Sequence, residues 1–224
     1  VYWDYFMMIF SDRFVWVPFY ASFIFVLLKN FPVKVVMSTI VVITLIILFS
    51  DQTASGILKP LVARMRPSNP DNPISPMVHV VQGYRGGRYG FPSSHAANAW
   101  SMAFFAQYLV RRSKLTIFLC LWALITSYSR MYLGVHYFGD ILIGTLIGFL
   151  YATLYYYIFQ YFLRKHTERF KPNHDIRFAS VPIITGLVSI WVIICTSGIL
   201  SFYSIPLRLS LIHISEPTRH SLIS

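Results

Sequence analysis

Residues 141–163 read ILIGTLIGFLYATLYYYIFQYFL, 23 consecutive positions without a formal charge. As an α-helix this run is about 35 Å long, enough to cross the hydrocarbon core of a bilayer with some tilt. Outward from it the chain repeats the theme. Apolar runs cover Phe14 to Leu28, Val35 to Leu58 (interrupted by Asp51 and Gln52), Ala96 to Val110, Leu115 to Tyr128, Phe138 to Leu163 and Val181 to Phe202. Six such segments predict an all-α fold, a polytopic membrane helix bundle with about six transmembrane helices.

Composition agrees. Of 224 residues, 56% are hydrophobic, 17% aromatic and only 12% charged, and the mean hydropathy is +0.58. A soluble globular domain carries about twice that share of charge. We expect one membrane-embedded domain over residues 1–207. The chain opens on Val1 with no basic region ahead of its first apolar stretch, so no signal peptide is visible and an N-terminal truncation is expected. After Leu207 the sequence turns polar, and residues 210–219 resemble translated sequencing-adapter read-through. The segment 208–224, with His213 and His220, is therefore set aside as a non-native tail.

A net charge of +11 raises the question of nucleic acid, but the basic residues are scattered between apolar runs and form no polar domain, which excludes that partner. They follow topology instead. Lys29, Lys34, Arg111, Arg112, Lys114, Arg164, Lys165, Arg169, Lys171 and Arg177 all fall in loops on one side, cytoplasmic by the positive-inside rule. The other side carries Lys59, Arg64, Arg66, Arg85, Arg88 and Arg130. Cations there run against the rule, and an anionic substrate accounts for them. The site is thus expected to face the periplasm or exterior from a bacterial inner membrane. Cys120 and Cys195 have neither disulfide nor zinc-site spacing.

Three clusters share that outer side. Lys59 is followed by Arg66-Pro67 where the second span ends; Phe91-Pro92-Ser93-Ser94-His95 leads into the third; Ser129-Arg130, His136 and Asp140 bridge the fourth and fifth. The long loop from 59 to 95, rich in Pro, Gly, Asn and Ser, has the character of a functional loop. Chemically the set reads as a phosphoryl-transfer site. Lys59, Arg66 and Arg130 can surround phosphoryl oxygens, the guanidinium forks bidentately. Ser93 stands at a helix N-cap, where free backbone N–H groups and the helix dipole attract phosphate. His136 and Asp140, four apart, let the carboxylate hold one imidazole nitrogen and leave the other as a nucleophile. His95 can then protonate the leaving group and later activate water. No metal or other cofactor is required, and Asp71 and Asp140 are too few carboxylates for a binuclear site.

These clusters resemble the signature of the type-2 phosphatidic acid phosphatase superfamily, whose membrane members are six-span lipid phosphatases. The motif match runs from about Lys59 to Asp140. The resemblance implies that Lys59, Arg66, Ser93 and Arg130 bind phosphate, that His136 forms a phosphohistidine, that His95 is the general acid and base, and that Asp140 supports His136. One departure stands in the second motif, where the usual Pro-Ser-Gly-His reads Pro92-Ser93-Ser94-His95; Ser94 keeps the backbone N–H and joins the expected substrate-binding residues.

The expected activity is hydrolysis of a membrane lipid phosphate or pyrophosphate, with undecaprenyl pyrophosphate, phosphatidylglycerol phosphate, phosphatidic acid and lipid A as candidates. A phosphotransferase would share the phosphohistidine and differ in the acceptor; a non-catalytic transporter would need the cations but no nucleophile. Blander readings apply elsewhere. Lys59 and Arg66, taken alone, would be snorkelling anchors. His79 reads as a partnerless surface residue, as do His166 and His174. Arg64, Arg85 and Arg88 extend the anionic site or face solvent. Asp51 and Gln52 line the site or bond a neighbouring helix.

Overall fold

In lipid every backbone polar group must be satisfied inside the protein, so long apolar segments fold as helices, and short polar signals set their ends. The computed structural model describes residues 1–166 and 176–205. The side chains of Arg164, Lys165 and His166, and all of Arg169, Lys171, His174 and the tail 208–224, lie outside what it describes. Helix α1 (Tyr2–Phe10) is followed by a 3-10 turn (Arg13–Trp16), α2 (Val17–Asn30) and α3 (Val33–Asp51). A π-helical stretch, Gln52–Leu58, continues α3 into the short α4 (Lys59–Val62). After a long loop come α5 (Ser94–Val110), α6 (Ser113–Tyr132), α7 (Phe138–His166) and α8 (Val181–Tyr203). Asp12 caps the 3-10 turn by accepting from the Phe14 N–H at 2.9 Å. Pro18 and Pro182 each sit in the first turn of a helix, where proline's missing donor costs nothing.

All six expected segments are helical. Among the described residues, four helices are long and apolar enough to cross a membrane: Val33–Val62, Ser113–Tyr132, Phe138–Leu163 and Val181–Tyr203. The pair Tyr2–Phe10 and Arg13–Asn30, bent by 65°, supplies a fifth if taken as one broken span. The expected third span forms α5, which has 17 residues and packs against α3, α6 and α7. Helix α1 is an addition to the expected set. Its nine residues are too few to cross, and a span search passes over them.

Helices α5 and α7 touch backbone to backbone, and glycine permits it. A Cβ at Gly144 would collide with the Ser93 carbonyl oxygen, and one at Gly148 would stand 2.5 Å from that of Ala97. Small residues at four-residue spacing allow this approach in a membrane, where close packing replaces the hydrophobic driving force. The contact brings the start of α5, with Ser93 and His95, onto the start of α7, with His136 and Asp140. On the other flank, Trp16 packs edge-on against Phe10 (4.8 Å) and Trp122 (5.8 Å) and donates its indole N–H to the Phe10 carbonyl at 2.9 Å. Exposed leucines at 142, 146, 150 and 154 run down one face of α7, as expected for a lipid-facing stripe. Asn30 bonds both the Arg177 carbonyl (2.8 Å) and its N–H (2.7 Å). That joins the α2–α3 turn to the approach of α8, so Lys29, Lys34 and Arg177 lie at one end of the bundle.

Candidate active site

The three sequence clusters converge on a cavity of about 490 Å³, whose wall includes Lys59, Arg66, Ser94, His95, Arg130 and His136. Each is carried there by a different local device. The π-helical stretch ahead of Lys59 widens the helical turn, a distortion frequent at functional sites. Lys59 Nζ donates to Ser55 Oγ (3.0 Å) and to Ser94 Oγ (3.4 Å). The hydroxyl of Ser94, at the position where the related pattern has glycine, is thus a partner of the lysine.

Beyond α4, Ala63 adopts a left-handed conformation and reverses the chain. Arg66 then donates from Nε to the Tyr89 carbonyl at 3.1 Å. Its guanidinium passes so close to Gly86 that a Cβ there would be 2.5 Å from Nη1. That glycine, at φ +66°, also needs its conformational freedom. The loop is pinned by Asn69 Nδ2 to the Arg88 carbonyl (3.2 Å) and by Asn72 Nδ2 to both the Arg66 carbonyl and Tyr137 Oη (2.9 Å each).

Ser93 is the N-cap of α5, accepting from the Ala96 N–H at 3.3 Å, and its own N–H donates to the Asp140 carbonyl at 3.0 Å. It is fully buried and is not on the cavity wall, so it ties the second cluster to the third. The hydroxyl facing the cavity belongs to Ser94. As the N-cap, the Ser93 oxygen accepts from its own helix.

His136 Nδ1 lies 3.2 Å from Asp140 Oδ2. Asp140, fully buried, also accepts the Tyr137 N–H at 2.8 Å and pairs through Oδ1 with Arg64. A carboxylate can only accept, so this arrangement keeps the proton on Nδ1 and the lone pair on Nε2. Burial lowers the His136 pKa to about 3, with Arg66 and Arg130 adding to the shift and Asp140 opposing it. The imidazole is therefore neutral at physiological pH, the form a nucleophile needs. His95 is exposed on the cavity wall, where a leaving group or water can reach it.

Several participants were not legible in the sequence. Arg64, expected either to extend the anionic site or to face solvent, instead braces Asp140, with its guanidinium over the rings of Phe91 (4.7 Å) and Tyr137 (5.1 Å). Arg85 bonds the Ser68 carbonyl and Ser75 Oγ and so staples the loop. His79 is exposed but not partnerless: its Nε2 is 2.8 Å from Asp4 Oδ1. Asp51 lines the cavity and Gln52 does not. Ser11, Asp12, Arg13, Phe14 and Tyr84 line it too, and no motif spacing marks them. Among the described residues no three His, Cys, Asp or Glu side chains gather as metal ligands.

A helical membrane bundle with a cationic cavity and a carboxylate-held histidine is the arrangement of a membrane-bound lipid phosphatase. The chain belongs to the PAP2 superfamily, whose pattern matches residues 40–164. Over 196 residues it is 44% identical to the lipid A 4'-phosphatase of Bacteroides thetaiotaomicron, covering 84% of this chain and 85% of that protein. It is 35% identical over 159 residues to the lipid A 4'-phosphatase of Porphyromonas gingivalis, covering 70% and 66% respectively. A dihydrosphingosine 1-phosphate phosphatase of Schizosaccharomyces pombe is 27% identical over 177 residues, covering 70% of this chain and 40% of that protein. No solved structure matches.

Proposed function

We propose that this enzyme removes the 4'-phosphate from lipid A or a close precursor, at the periplasmic face of a bacterial inner membrane, within a single domain spanning residues 1–207. The observation that carries the reading is the 44% identity over 85% of a lipid A 4'-phosphatase. The names of all three relatives share one chemistry, a phosphate monoester on a membrane lipid. A 490 Å³ cavity suits a phosphoryl group with part of a sugar.

Lys59, Arg66 and Arg130 take the phosphoryl oxygens and stabilise the charge that builds on them in flight. His136 Nε2 attacks phosphorus in line; the N–P bond forms as the bond to the sugar oxygen breaks, and His95 gives that oxygen its proton. Water then attacks the phosphohistidine, His95 takes the water's proton, and inorganic phosphate leaves with His136 restored. Asp140, backed by Arg64, holds the imidazole tautomer through both steps.

The test is phosphate release by the purified protein from lipid A, phosphatidic acid and undecaprenyl pyrophosphate, with and without excess EDTA, with fragmentation spectra locating the phosphate lost. We expect free phosphate, loss from the 4' position and no effect of chelator. Turnover of phosphatidic acid with lipid A untouched would sink the substrate assignment. Transfer to another lipid without free phosphate would favour the phosphotransferase.

A further inference from the structure

An arginine that grips phosphate must be aimed, and its aiming groups must leave its charge uncancelled. Arg130, buried in the wall of the cavity, meets both demands. Nη1 donates to Ser11 Oγ at 2.6 Å and Nη2 to Tyr84 Oη at 2.9 Å, both neutral hydroxyls. Its Nε is buried without a hydrogen-bond partner. Ser11 comes from the corner between α1 and the 3-10 turn, 119 residues away in sequence and ahead of the 40–164 stretch that the family pattern matches.

That corner is itself fixed. Asp4 accepts from Tyr132 Oη at 2.8 Å and pairs with His79 at 2.8 Å. Tyr5 Oη donates to the Ile205 carbonyl at 2.9 Å, and Met8 packs with Val81, Leu133 and Val135. Four attachments on a nine-residue helix hold Ser11 against Arg130.

We propose that Ser11 is a positioning residue for phosphoryl transfer. The N-terminal strap, lying outside the part of the chain that the superfamily pattern matches, supplies the hydroxyl that orients Arg130, and without it the guanidinium loses its aim at the phosphoryl oxygens. The inference rests on Arg130 binding phosphate. It does not depend on which lipid carries the phosphate.

The experiment compares Ser11→Ala, Ser11→Thr, Arg130→Gln and Arg130→Lys, the last with and without Ser11→Ala. Each full-length protein is assayed for kcat and KM on a lipid phosphate monoester that the unaltered enzyme hydrolyses. Vanadate affinity is followed separately, as the concentration giving half-maximal thermal stabilisation. Ser11→Ala should lower kcat/KM and vanadate affinity about tenfold, the scale of one hydrogen bond to a charged group. Thr, which keeps the hydroxyl, should restore both. In the Arg130→Lys background Ser11→Ala should add less than about twofold, since the interaction it removes is already gone.

Ser11→Ala with unchanged kcat/KM and vanadate affinity, whatever its melting temperature, would overturn the assignment. So would an equal loss when Ser11→Ala is added to Arg130→Lys, or failure of Thr to rescue in a protein that melts normally. Arg130→Gln with full activity would instead remove the premise that Arg130 binds phosphate.

Discussion

Asp140→Asn tests the support of the proposed nucleophile. The carboxylate receives three donors: His136 Nδ1, the Tyr137 N–H and the Arg64 guanidinium. An amide keeps one acceptor oxygen. If that oxygen faces Arg64, the NH2 group meets His136, and the imidazole is driven to the tautomer that protonates Nε2 and removes the attacking lone pair. If it faces His136, the NH2 group meets a guanidinium. Each lost hydrogen bond to a charged group costs about 1.5–3 kcal/mol, and the wrong tautomer of a catalytic histidine costs about three to four orders of magnitude in rate. Asp140 is fully buried and absent from the cavity wall, so substrate does not touch it. We therefore expect kcat to fall by about three orders of magnitude while KM moves less than about threefold. The assay is steady-state phosphate release beside a thermal melt of the same preparation. A kcat within about tenfold of the unaltered enzyme, or a defect confined to KM, would refute the reasoning.

His136→Ala should abolish any phosphoenzyme, whereas His95→Ala should still label with a good leaving group and stall before water attack. Alkaline denaturation after mixing with radiolabelled substrate preserves phosphohistidine, and equal labelling of the two variants would show the roles wrongly assigned. Gly148→Val should sharply reduce folded yield, because even a Cβ there meets the Ala97 carbonyl at 2.5 Å; a normal size-exclusion profile and melt would contradict the packing described. His136 is lowered to about 3 when folded, from about 6.5 in an unfolded chain. Below that upper value the unfolded state binds a proton that the folded state refuses. The contribution is present above pH ~6.5 and is lost progressively as pH falls toward ~3. Melting temperatures measured across this range should drop less steeply for His136→Gln, and parallel curves would count against a buried neutral histidine.

Hydropathy alone located every long helix, because a bilayer requires apolar runs of a fixed minimum length and the sequence states them outright. Spacing likewise marked Lys59, Arg66, His95, Arg130, His136 and Asp140 as one set, and the structure gathers the first five on the cavity wall with Asp140 directly behind His136. Such signals reach only within an element or across one loop. Helix α1 fell below the length a span search detects, and with it went Ser11. Ser11 and Tyr84 meet Arg130 across 119 and 46 residues, and Arg64 meets Asp140 across 76. Pattern carries no record of such pairings. They exist because glycine lets α5 and α7 close to backbone contact, because the pinned loop from 64 to 92 folds over that junction, and because α1 wedges beside α6 and α8. The sequence thus marked which residues gather at the cavity, whereas packing alone decided which neighbours hold them in place.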